Sequence, residues 1–131
     1  MCLSKCNTQG KQLNVILNAI EYDIECDMNT SEQYDEIVAR CRRIYELKMR
    51  DYGPSWRIMR PQTVNDQLFI KAKRVREIEM TGVNLVGESV EGEMMAIVNY
   101  SIIGLIQLRQ GFADSVDMTR ERAMELYDDY I

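Results

Sequence analysis

The 131-residue sequence contains no histidine. That excludes a Ser-His-Asp triad, a Cys-His pair, a histidine metal site and an imidazole proton shuttle. Carboxylate, lysine, arginine, tyrosine and thiol groups are left to carry any chemistry. Long apolar runs are also missing. The most apolar stretch, residues 94–106, is too short to span a bilayer and is interrupted by Asn99 and Gly104. Cysteine is sparse, at Cys2, Cys6, Cys26 and Cys41. Only the first two are close together, whereas zinc sites usually take two tight pairs. A chain long enough to build a core has little need of a disulfide framework. The opening MCLSKCNTQGKQLNVIL shows no apolar segment followed by a small-residue cleavage site. The expectation is a reduced, cytoplasmic protein with no membrane association.

What is present suits a folded domain. Hydrophobic residues make up 46% and charged residues 28% of the chain. The net charge of −5 argues against wholesale wrapping of nucleic acid, so a nucleic-acid partner is not expected. The charge is unevenly spread, however. Residues 40–76 hold eleven basic side chains and three acidic ones, a local +8, while the remainder, with five basic and eighteen acidic, carries −13. A local anion site is therefore allowed. The plainer alternative is a set of solvated helix faces balanced by acidic neighbours.

Periodicity is helical throughout, with no convincing two-residue alternation. A helix is expected over residues 11–25, with Leu13, Ile16, Ile20 and Ile24 apolar. Thr30 and Ser31 offer N-caps for the next, with Gln33 as capping-box partner. Tyr34, Ile37, Val38, Cys41, Ile44 and Tyr45 mark its buried face, and Gly53-Pro54 ends it. After a loop over residues 55–61, Thr63 caps a third helix that stops at Gly82. A fourth runs from about Ser89 to Gln110, with Gly111 as its stop, and Asp117 or Thr119 starts the last. The architecture expected is all-α: a small bundle of four to five helices, completed by dimerisation. Residues 1–30 read as a variable extension and residues 31–131 as one domain.

Three places stand out. On the third helix, Lys71 falls in the middle of the apolar arc of Val64, Leu68, Ala72, Val75 and Ile78. A buried lysine must be paired or lose its charge. Either a core carboxylate holds it for structural reasons, or it aims a cation into an interhelical pocket with Arg74 one turn along. The helix over 89–110 is apolar nearly all round and reads as central and buried. Its polar members Glu93, Tyr100 and Gln107 share a face with Ala96, Asn99 stands apart, and Glu93 or Glu88 can partner Lys71. Finally, the segment from Lys48 to Pro61 gathers Tyr52 and Trp56 with Lys48, Arg50, Arg57 and Arg60. The aromatics can stack a base while the cations hold phosphate, or the segment can cap the bundle end hydrophobically.

These segments resemble a known family. KMRDYGPSWRIMRP, then DQLFIKAKRVREIE, then the LVGES and IVNY segments are similar to the nucleotide modification associated domain, type one. The closing GFADSVDMTRERAMELYDDY is similar to its Bacteroidetes-type members. The resemblance covers about residues 31–131. It implies an α-helical fold, a link to modified or deoxynucleotide metabolism, and a distant likeness to MazG-type all-α nucleotide pyrophosphohydrolases. Those enzymes hold Mg²⁺ with clustered carboxylates, and the metal activates a water. Lys48, Asp51, Tyr52, Trp56, Asp66, Lys71, Arg74, Glu88, Asn99 and Tyr100 stand where the family pattern has the same residues. Two positions depart from it: Gly92 and Ala96 stand where single-unit relatives tend to have acids.

The resulting expectation is a domain that binds a nucleotide or another phosphate-bearing small molecule. Lys48, Asp51, Tyr52, Trp56, Arg57, Lys71, Arg74 and Asn99 are its candidate ligand contacts. Mg²⁺ on Glu88 and Glu93 would allow hydrolysis of a deoxynucleoside triphosphate. The alternative is a noncatalytic helical dimerisation or interaction module.

Overall fold

The computed structural model describes residues 29–131 apart from 85, 86 and 88. The helix expected over residues 11–25, Cys2, Cys6, Cys26 and Glu88 therefore lie outside the described residues. The chain divides into two compact units, residues 1–37 and 38–131, and the features that follow lie in the second unless stated. Among the described residues there are four α-helices and one 3-10 turn, with no strand. The all-α expectation holds.

Helix α1 spans Thr30–Tyr52. Within the first unit, its start is a reciprocal capping box. Glu32 N donates to Asn29 Oδ1 at 3.0 Å and Asn29 N donates to Glu32 Oε2 at 2.9 Å. The cap is thus Asn29 rather than Thr30 or Ser31, because asparagine caps strongly and Glu32 is the N3 residue able to answer it. At the other end Gly53 takes φ 61° and its N–H closes on Met49 O at 2.9 Å, a left-handed stop suited to glycine. Pro54 leads into the 3-10 turn Ser55–Ile58.

Helix α2 covers Pro61–Thr81. It begins two residues before the expected Thr63 cap, because proline at the first position has its φ preset and no N–H left unsatisfied. Helix α3 covers Val90–Gln110, where Ser89 Oγ accepts from Gly92 N at 2.9 Å. Helix α4 covers Arg120–Asp128, where Thr119 Oγ1 accepts from Arg122 N at 3.2 Å. Among the described helices, α2 and α3 share the most extensive contact. Gly104 permits that approach, since a Cβ there would lie 3.3 Å from Val64 Cγ1.

The core joins Tyr45 and Met49 of α1, Trp56 of the turn, Ile102, Ile103 and Ile106 of α3, and Ala123, Leu126 and Tyr127 of α4. The Tyr45 and Tyr127 rings stack with centroids 4.2 Å apart. Two expectations need correction. Ala72 of α2 is exposed, so the buried strip of that helix is narrower than its apolar arc, with Val64 and Val75 at its centre. Helix α3 is not buried all round either: Met94, Val98, Leu105 and Leu108 form an exposed stripe, with Leu108 79% exposed. One side of α3 meets α1, the turn and α4, its flank meets α2, and this further side carries apolar residues to the surface.

Candidate functional site

Three buried polar side chains of α3 organise the neighbouring elements. Asn99, expected to stand apart, lies within the buried face. Its Nδ2 donates to Cys41 O of α1 at 3.1 Å, and its Oδ1 accepts from Tyr127 Oη of α4 at 2.6 Å. Two turns later, Gln107 Nε2 donates to the carbonyls of Trp56, Arg57 and Met59 at 3.0, 2.9 and 3.1 Å. One amide thereby shapes the whole 3-10 turn. Glu93, at the start of the helix, meets the cations of α2. Buried polar groups need such partners to offset the loss of water.

The turn and the helices it touches enclose a cleft of about 410 Å³. Lys48 and Tyr52 come from the last turns of α1, Trp56, Ile58 and Met59 from the turn, and Ala96, Asn99, Tyr100 and Ile103 from α3. Four expected ligand contacts, Lys48, Tyr52, Trp56 and Asn99, thus converge on one concavity. They do so in unequal ways. Trp56 is only 4% exposed and belongs to the core wall. Tyr52 is 68% exposed and presents its ring at the rim, with Lys48 Nζ 5.6 Å from its centroid. Tyr52, not Trp56, is the aromatic face open to a ligand. Asn99 contributes its edge while its amide is engaged with Cys41 and Tyr127.

The remaining expected contacts lie elsewhere. Arg57 is buried, and its guanidinium is held bidentately by Asp117 at 2.8 and 3.2 Å, by Gln107 Oε1 and by the Gly111 carbonyl at 2.6 Å. That network ties the turn to the segment after α3. Arg57 is therefore a structural cation here rather than one offered to phosphate, because its charge and its fork of donors are already matched. The same pairing holds the Asp117 carboxyl below its ordinary range. Asp51 accepts from Arg50 Nε at 3.1 Å on the surface. Asp66 is exposed on α2.

Lys71 and Arg74 converge on Glu93. Lys71 Nζ lies 3.0 Å from Glu93 Oε2, and Arg74 Nη1 lies 3.3 Å from Oε1. The lysine in the apolar arc is thus answered by a carboxylate, and Glu93 is the partner. Arg74 and Glu93 also line a separate cleft of about 490 Å³ with Glu77, Ile78, Thr81, Val83 and Asn84. For Mg²⁺ the described residues are a poor fit. Both Glu93 oxygens face cations, and among the described residues no three carboxylate or thiol groups gather as a metal-binding cluster. A magnesium ion needs anionic oxygen ligands in near-octahedral array, and Glu93 is already neutralised.

Sequence reasoning missed Asp117, Tyr127 and the lining residues Met59 and Ile103. Asp117 and Arg57 are 60 positions apart, and no local signal links them. Tyr127 sits one helical turn after Ala123, which marks it as core but not as the partner of Asn99.

No helix among the described residues is long and apolar enough to cross a membrane. No curated protein and no solved structure matches this chain. Residues 48–108, which run from Lys48 and Tyr52 through the turn to the end of α3 and so carry most of the cleft, match the model of one family, nucleotide modification associated domain 1.

Proposed function

We propose that the domain binds a nucleotide in the cleft under Tyr52 and Lys48. The observation that carries this reading is the meeting of Lys48, Tyr52, Trp56 and Asn99 around one cavity of about 410 Å³. An exposed tyrosine ring offers a stacking platform worth ~1–3 kcal/mol per base. The ammonium beside it supplies a counter-charge for phosphate, and the apolar floor of Met59, Ile103 and Trp56 excludes water from the base. The matched family model, by its description, supports a nucleotide context. Ala96 lies on the cleft lining. An acid there, as in the pattern of single-unit relatives, would bring a carboxylate to the ligand; alanine does not. The reading is accordingly binding, with no hydrolytic step assigned to the described residues.

Thermal unfolding of the full chain with a panel of ribo- and deoxynucleotides tests it. Stabilisation by at least one nucleotide, diminished in Tyr52→Ala, is the expected result. A flat response across the panel contradicts the reading.

A second reading, a helical homodimer, is favoured by a different observation. Met94, Val98, Leu105 and Leu108 recur at spacings of three, four and seven along α3 and are all exposed. Such a stripe suits a second copy of the helix. Light scattering should then give the mass of two chains, falling to one in Leu105→Glu. A monomer at high concentration removes this reading without touching the first.

A further inference from the structure

The charge on the cleft is small. Among the described residues, Lys48 is the only charged side chain on its lining; the rest are aromatic, apolar or neutral polar. Lys48 is exposed, forms no ion pair among the described residues and lies against the Tyr52 ring. The other cations that might have joined it are engaged elsewhere: Arg57 by Asp117, Gln107 and Gly111, and Lys71 and Arg74 by Glu93. Among the described residues, no arginine fork and no carboxylate pair able to carry a divalent ion reaches this lining.

Resting on the nucleotide reading above, we infer that the cleft reads one phosphate, and that its ligand class is a nucleoside monophosphate rather than a triphosphate. A phosphate monoester carries a charge of about −1.5 to −2. A single ammonium at the rim can meet one such group. Further phosphates find no second cation among the described lining residues, so they stay hydrated and add nothing to affinity. Sites built for polyphosphates gather several donors or a metal around the chain of phosphates. This cleft instead puts most of its area on the base and sugar, through Tyr52, Met59, Tyr100 and Ile103.

Calorimetric titration of the full chain with each common deoxynucleoside, its 5′-monophosphate and its 5′-triphosphate separates the possibilities. Affinity should rise about tenfold from nucleoside to monophosphate, the worth of one charge-assisted contact. From mono- to triphosphate it should not rise further. In Lys48→Met, a surface change that leaves the core untouched, the first step should vanish while nucleoside affinity stays. A triphosphate that binds tenfold tighter than the monophosphate, or a first step that survives in Lys48→Met, overturns the inference and leaves nucleotide binding standing. No binding by any member of the series overturns both.

Discussion

Lys71 Nζ lies 3.0 Å from Glu93 Oε2, joining a lysine set within the apolar arc of α2 to a carboxylate that is 1% exposed on α3. With Arg74 on the other oxygen, this pairing neutralises a buried acid at the α2–α3 contact. A buried ion pair adds little beyond what well-packed apolar side chains would give, but breaking it is costly.

Glu93→Gln leaves two cations facing a neutral amide. It should lower unfolding free energy by about 3 kcal/mol. Changing Glu93→Leu and Lys71→Met together should recover part of that loss, because the buried ammonium and carboxylate are both gone and the Arg74 guanidinium that remains is partly exposed to water. Chemical denaturation of the three proteins checks the order. A Glu93→Gln protein as stable as the wild type would show that the pair does not hold the helices together.

Asn99 bridges α1 and α4 through Cys41 O and Tyr127 Oη. Truncation by Asn99→Ala leaves the Tyr127 hydroxyl without its partner in the core, at a cost of ~1–3 kcal/mol, and removes the tie to the Cys41 carbonyl. The expected result is a fall in denaturation midpoint together with weaker nucleotide binding, since the α1 and α3 walls of the cleft lose their tie. Intact stability in Asn99→Ala would remove this residue from the account of the cleft.

Burial holds both Tyr45 and Tyr127 hydroxyls well above the ordinary phenol value of 10.0. The folded state therefore keeps these protons where the unfolded chain releases them. The stability they contribute is complete below pH 10 and is lost as pH rises above it. Unfolding midpoints should drop steeply past pH 10, and Tyr45→Phe should make that limb shallower. An alkaline limb unchanged by Tyr45→Phe would contradict the assignment.

Asp117 behaves in the opposite sense. Arg57 depresses its carboxyl, so its contribution is present above the ordinary carboxylate range and is lost as pH falls through the depressed value. Asp117→Asn should flatten the acid limb of the stability curve while leaving nucleotide affinity unaltered, as expected of a pairing that serves the turn. A loss of affinity larger than the loss of stability would instead place Arg57 at the ligand.

Local chemistry was legible in the sequence, and distant pairing was not. Ser89, Thr119, Gly82 and Gly111 mark helix ends through interactions within a few residues, so their types suffice. Lys71 could be recognised by helical period alone, and Glu93 stood among its possible partners. The bonds of Asn99 reach 58 and 28 positions along the chain, beyond any periodic rule. The exposed side of α3 was hidden for another reason. Hydrophobicity marks surfaces that seek cover, but it does not say whether this chain or another supplies it. The pairing of Arg57 with Asp117 was hidden because a cation near aromatics looks the same in sequence whether its partner is phosphate or a distant carboxylate.

The central claim is that the cleft under Tyr52 holds a nucleotide, and Trp56, the sole tryptophan, forms part of its wall. Titration of the full chain with deoxynucleoside monophosphates, read by Trp56 fluorescence, tests it most directly. The account predicts a saturable change with at least one base, weakened about tenfold in Tyr52→Ala through the loss of stacking. An emission spectrum that no nucleotide alters, in a protein whose Trp56 fluorescence still reports cooperative unfolding, would contradict it.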